Sequence, residues 1–110
     1  MTTSVQNPPP ATSPLEAAPL AVRAFVAAHE LSEHLATAVR VAEECFPAGS
    51  TLSLEVGEDP ECEGKWIEMD WSLPATVEDA LGAYMRFVSE WNAVTPPWVG
   101  NLLRVTFCVV

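Results

Sequence analysis

TLSLEVGEDPECEGKWIEMDWSL, Thr51 to Leu73, consists of two strictly alternating runs separated by an acidic turn. In the first run Leu52, Leu54 and Val56 share one side, and Thr51, Ser53 and Glu55 the other. In the second, Ile67, Met69, Trp71 and Leu73 alternate with Trp66, Glu68, Asp70 and Ser72. Successive side chains of an extended chain point to opposite sides, so a period of two marks a strand with one covered face. The two runs predict an antiparallel hairpin whose apolar side needs a partner layer.

The flanks supply that layer. After Pro74, Thr76 followed three residues later by Asp79 resembles a capping box. It opens a helix with an apolar stripe of Val77, Leu81, Tyr84, Val88 and Trp91, supported by Ala80, Phe87 and Val94. This helix stops before TPPWVGN, where Trp98 reads as a loop residue tucked over the core edge. The run LLRVTFCVV then predicts a third strand, with Leu103, Val105, Phe107 and Val109 inward and Arg104, Thr106, Cys108 and Val110 outward. On the other side of the hairpin, Ala21, Ala24, Ala28, Leu31, Leu35, Ala38, Ala42 and Cys45 recur at steps of three and four, which predicts one helix from Pro19 to Phe46, ended by Pro47-Ala48-Gly49.

The expected order is α-β-β-α-β: a two-layer α+β domain with two helices on one face of a small three-stranded mixed sheet. The passage from the second strand through a helix to the third makes those two strands parallel if they share a sheet. The shape is like a ferredoxin-like fold without its first strand. Strand order stays open.

At 110 residues the chain has room for one core, not two. Residues 1–14, MTTSVQNPPPATSP, contain four prolines and no apolar periodicity, and are expected to be a disordered tail; residues 15–110 form the single domain. The tail has neither the basic region nor the apolar run of a secretory signal or anchor. Arg23, Glu30, Glu33 and Arg40 interrupt the longest apolar stretch, so no membrane span is expected. Three cysteines, Cys45, Cys62 and Cys108, form neither a disulfide framework nor a zinc spacing, which favours a reducing cytoplasm. Fifteen acidic against five basic residues give a net charge of -10, which repels nucleic acid and attracts a basic protein.

Two motifs come close to metal chemistry. Asp59, Glu61, Glu63, Gly64 and Asp70 fall at positions 1, 3, 5, 6 and 12 of a calcium loop, but Pro60 stands at position 2 and Asp70 lies on an extended strand rather than curling over an ion. The expectation is a solvated hairpin turn; Asp59, Glu61, Glu63 and Asp70 remain the residues of the alternative, a divalent-metal or small-molecule site. In HELSEH, His29 and His34 are five apart, about 140° around a helix, and so cannot share a metal as histidines four apart do. Their expected role is in two helical pairs, His29 with Glu33 and Glu30 with His34. No nucleophile has a partner, no phosphate loop is present, and Cys62 lies among carboxylates that blunt it. Neither a catalytic role nor a cofactor is expected.

What remains is the outward side of the sheet, where Glu55, Trp66, Glu68, Asp70 and Arg104 place an aromatic ring and a guanidinium among carboxylates. Trp and Arg are the residues most often found anchoring interfaces. The strand, E-D-P-E turn, Trp-bearing strand and helix ending F-x-x-E-W, from about Leu52 to Trp91, resemble an uncharacterised group of short bacterial α+β proteins. The resemblance implies a protein partner, since some of that group accompany toxin-like proteins. The expected function is a cytoplasmic interaction module, antitoxin-like or a companion subunit, that binds a more basic protein. Self-pairing with a second copy through LLRVTFCVV is expected if that strand lies at a sheet edge.

Overall fold

The hairpin forms where the alternation places it. β1 (Thr51–Glu58) and β2 (Lys65–Leu73) run antiparallel, with Thr51 opposite Ser72 and Glu58 opposite Lys65. The structure is a computed structural model and describes residues 18–61 and 64–110; the proposed tail, residues 1–14, and the residues Cys62 and Glu63 lie outside that set. β3 (Leu103–Val109) pairs parallel with β2, Ile67 opposite Leu103 and Leu73 opposite Val109. The sheet order is β1-β2-β3, so the strand between the two alternating neighbours is the central one. Ile67, Met69, Trp71 and Leu73 are all buried, joined by Leu54 and Leu103.

The covering layer departs from the expected single N-terminal helix. It contains α1 (Leu20–Ala28) and α2 (Ser32–Cys45), separated at His29 to Leu31. Glu30 adopts φ 55, the left-handed region; its N–H donates to Ala27 O, and the Leu31 N–H donates back to Val26 O at 2.9 Å. This is a Schellman ending with glutamate where glycine usually stands, and it is closed by Val26 and Leu31, both fully buried. The break resets the helical phase. In α2 the expected Leu35, Ala38 and Ala42 are buried, whereas in α1 Ala21, Ala24 and Ala28 face out and Val22 and Val26 face in. The pairs proposed for HELSEH straddle the break and do not share a helical turn. Instead His29 lies 4.2 Å from the Phe25 ring, centroid to centroid, and His34 meets Trp98 edge-on at 5.2 Å.

Pro47 to Ser50 turn the chain into β1, with Gly49 at φ 89 and the Ser50 hydroxyl on Pro47 O. The second long helix, α3 (Val77–Val94), is capped as expected: the Asp79 N–H donates to Thr76 Oγ1 at 3.1 Å. Its buried arc is Ala80, Phe87 and Trp91, with Tyr84 and Val88 half-buried; Val77, Leu81 and Val94 of the expected stripe are exposed. Phe87 brings α3 to Phe46 (5.4 Å), which in turn meets Trp71 of β2 (5.3 Å). A 3₁₀ turn, Pro97–Asn101, leads into β3 and buries Val99, while Trp98 stays about half exposed rather than tucked in. The protein is therefore a small α+β domain with its core between one side of the sheet and three helices. Among the described residues no helix is long and apolar enough to cross a membrane.

Candidate interaction surface

No described element covers the other side of the sheet, where Thr51, Ser53, Glu55, Arg104, Thr106 and Cys108 are exposed and Trp66, Glu68, Asp70 and Ser72 half-buried. The register arranges these residues in rows across the three strands. Thr51, Ser72 and Cys108 form one row, Ser53, Asp70 and Thr106 the next, and Glu55, Glu68 and Arg104 the third; Trp66 lies opposite Gly57 at the end. All five residues singled out from the sequence, Glu55, Trp66, Glu68, Asp70 and Arg104, therefore occupy one surface and three adjoining rows.

Toward β3, Trp66, Asp70 and Ser72 of β2 each have a counterpart. The Arg104 guanidinium carbon stands 3.8 Å from the centroid of the Trp66 ring, a cation–π contact worth about 0.5–1 kcal/mol at an exposed site. Thr106 Oγ1 donates to Asp70 Oδ1, and Ser72 Oγ lies 3.6 Å from Cys108 Sγ. Trp66 Nε1 donates to Glu68 Oε1 at 3.2 Å. The indole can lie in this position because residue 57 is glycine. A Cβ there would stand 2.4 Å from Trp66 Nε1 and 2.7 Å from Cε2. Sequence reasoning missed Gly57, although an isolated glycine within a strand signals the close approach of another group.

Toward β1 the surface is not compensated. Glu55 stands directly opposite Glu68, and like charges in that relation destabilise a sheet. The ion pairs among the described residues are Arg40 with Glu44, Glu58 with Lys65, and Arg86 with Glu90; none includes Glu55 or Glu68. Arg104, which faces Glu68 in the register, turns its guanidinium onto Trp66.

The acidic turn arranges its residues differently from a calcium loop. The Glu61 N–H donates to Asp59 Oδ1 at 2.9 Å, a side-chain turn over Pro60, and Glu58 pairs with Lys65 across the hairpin mouth. Asp70 lies five residues up β2 from Lys65, about 16 Å at the rise of a strand, so it belongs to the sheet row with Thr106 and not to the turn. Glu63 falls outside the described residues. Among those described, no three His, Cys, Asp or Glu side chains form a group able to hold a metal. Cys45, at the end of α2, has its thiol pushed above its ordinary value, first by burial and next by the Glu90 carboxylate, which keeps it protonated and weakly nucleophilic. A depression of about 300 Å³ near the end of α2 is lined by Glu43, Phe46, Ser50 and Trp71 among others; the Ser50 hydroxyl donates to Pro47 O and not to the carboxylate.

No protein-family model matches this chain, and neither does any curated protein or solved structure.

Proposed function

We propose that this protein is an interaction module, a companion or antitoxin-like subunit of the cytoplasm, which receives a more basic protein on the open side of its sheet. The observation that carries the reading is the Glu55–Glu68 pair: two carboxylates directly opposite one another on an uncovered surface, with the neighbouring cation, Arg104, engaged by an aromatic ring. An arginine or lysine from a partner seated between them relieves the repulsion and gains two charge-assisted hydrogen bonds. The stacked Trp66 and Arg104 beside it supply a flat contact of the kind that anchors interfaces. The net charge of -10 raises the encounter rate with a basic protein and makes it dependent on salt. The free thiols Cys45 and Cys108 suit a reducing compartment.

The test is affinity co-purification from the native host at low salt, in parallel with the Glu55→Lys/Glu68→Lys variant, whose fold is checked by thermal melting. The expected result is one partner, rich in Lys and Arg, retained by the unaltered protein, released by added salt and lost from the variant. Recovery of the protein alone, or equal retention of the partner by the doubly reversed variant, overturns the reading.

A further inference from the structure

β3 lies at an edge of the sheet, and its backbone shows which groups that edge exposes. The Ile67 N–H donates to Leu102 O at 2.7 Å, and the Val110 N–H donates to Leu73 O at 3.1 Å. In a parallel pair, alternate residues direct both their N–H and C=O to the same neighbour. The even-numbered residues from Leu102 to Val110 therefore face β2. Leu103, Val105, Phe107 and Val109 direct their backbone groups outward. Tyr84 of α3 agrees with this assignment, since its hydroxyl donates to Val105 O at 3.1 Å and its ring packs 4.8 Å from that of Phe107.

Tyr84 also fixes which flank of α3 overlooks this edge. On a helix of 100° per residue, Val77, Leu81, Met85 and Val88 continue outward from Tyr84, away from the buried arc of Ala80, Phe87 and Trp91. Val77 is 70% exposed, Leu81 49% and Met85 63%. Below them Val109 is 38% exposed. An apolar helix flank and an open strand edge thus form one continuous patch. The protections of this edge are few: β3 contains no proline, no lysine and no carboxylate, and its one charge, Arg104, is turned onto Trp66 on the open face, whereas β1, at the other edge, carries Glu55 and Glu58.

We propose that a second copy of the chain occupies this patch. Two β3 strands pair antiparallel about a twofold axis near Phe107, each Phe107 exchanging N–H and C=O with its twin and Val105 lying opposite Val109, its carbonyl accepting the twin's Val109 N–H on the lone pair that Tyr84 leaves free. The two three-stranded sheets become continuous, and the α3 flanks meet above the junction. A like copy fits better than a foreign chain for two reasons. The same axis that joins the strands brings Val77, Leu81 and Met85 against their own counterparts, as an isologous contact requires. In a chain with fifteen Asp and Glu, β3 has none, and those of α3 sit in its first turn (Glu78, Asp79) or on the opposite flank, where Glu90 holds Arg86. Of these only Glu78 borders the patch, about 20° around the helix from Met85, so a basic partner would find one carboxylate here against the facing pair Glu55 and Glu68 on the open side. A strand edge alone is narrow beside the roughly 800 Å² per partner of a standard interface, and the exposed helix flank widens the contact. This contact uses the edge of the sheet, so it stands or falls separately from binding on the open face.

Analytical ultracentrifugation of the full chain from about 1 to about 200 µM tests it, with dimer expected over the upper part of that range. Leu81→Glu/Met85→Glu, at two exposed positions, is expected to give a monomer with an unchanged far-UV spectrum. Val109→Pro, which removes an outward-facing N–H without touching the β2 ladder, is expected to weaken the dimer at least tenfold. Hydrogen exchange at the Phe107 and Val109 amides should be slow in the dimer and fast in the monomeric variant; it decides the matter if a substitution impairs folding. A monomer throughout the concentration range overturns the proposal. So does a dimer indifferent to both variants, or one whose Phe107 and Val109 amides exchange freely.

Discussion

The two sides of β2 share a backbone and differ in what their side chains can exchange with their surroundings. Ile67, Met69, Trp71 and Leu73 are closed off by Phe46, Phe87 and the rest of the core; every apolar group there has apolar neighbours within the chain. Trp66, Glu68, Asp70 and Ser72 have counterparts mainly on the β3 side, and Glu68 meets another carboxylate across β1. One side is closed by the chain's own apolar side chains. The other keeps a like-charge pair that a cation can neutralise, which is why the proposed function uses the second side and leaves the first to stability.

Substitutions on the two sides should therefore differ in size and in sign. The largest effect is expected from Met69→Ala: loss of a fully buried side chain should destabilise by about 2–5 kcal/mol in urea unfolding, and a loss under about 1 kcal/mol would show that the core side is loosely packed. Next comes Gly57→Ala, whose new methyl group collides with the Trp66 indole. It should cost about 1–2 kcal/mol, and much less in a Trp66→Ala background, where only the end of the Glu68 side chain, 3.1 Å from the new methyl group, has to give way; an undiminished cost would place the strain elsewhere. Glu30→Gly tests the layer covering the core side. Relief of the left-handed glutamate should raise stability by about 0.5–1 kcal/mol, and a loss would mean that its side chain is held by something more valuable than the turn. The smallest effect is expected from Glu55→Gln, a gain of a few tenths of a kcal/mol, roughly, that fades in about 1 M salt. A loss of stability would mean that the two carboxylates are already compensated.

How legible each part was depends on how local its cause is. The hairpin and the inward residues of all three strands follow from a period of two, which any one-sided sheet imposes on its sequence. The break between α1 and α2 has no such mark, because the left-handed position is filled by Glu30 and HELSEH contains neither glycine nor proline. In α3, apolar residues occupy more than half the circumference, so the stripe through Val77 and Leu81 was as good a reading as the buried arc through Ala80 and Phe87; only the packing of Tyr84 on β3 separates them. The five surface residues were legible because outward positions of the strands must share a side. The stacking of Arg104 on Trp66 was not, because it needs β3 beside β2, a long-range fact. The separation of Asp70 from Asp59 follows from strand rise and was readable from the start.

The parallel pairing of β2 with β3 also orders events in time. Ser72 and Cys108 are row neighbours 36 positions apart, whereas β1 and β2 are joined by a short turn. The hairpin can close within microseconds, but β2 waits for α3 to dock before its second neighbour arrives. In that interval the central strand of the sheet has a bare flank, and any two unfinished chains could join there. With -10 charge on each, they repel. The expected signature is a refolding reaction whose yield falls as salt is added, measured by light scattering during dilution from urea, while the finished protein stays clear in the same buffers. The acidity on which the proposed function relies thus also keeps incomplete sheets from meeting one another.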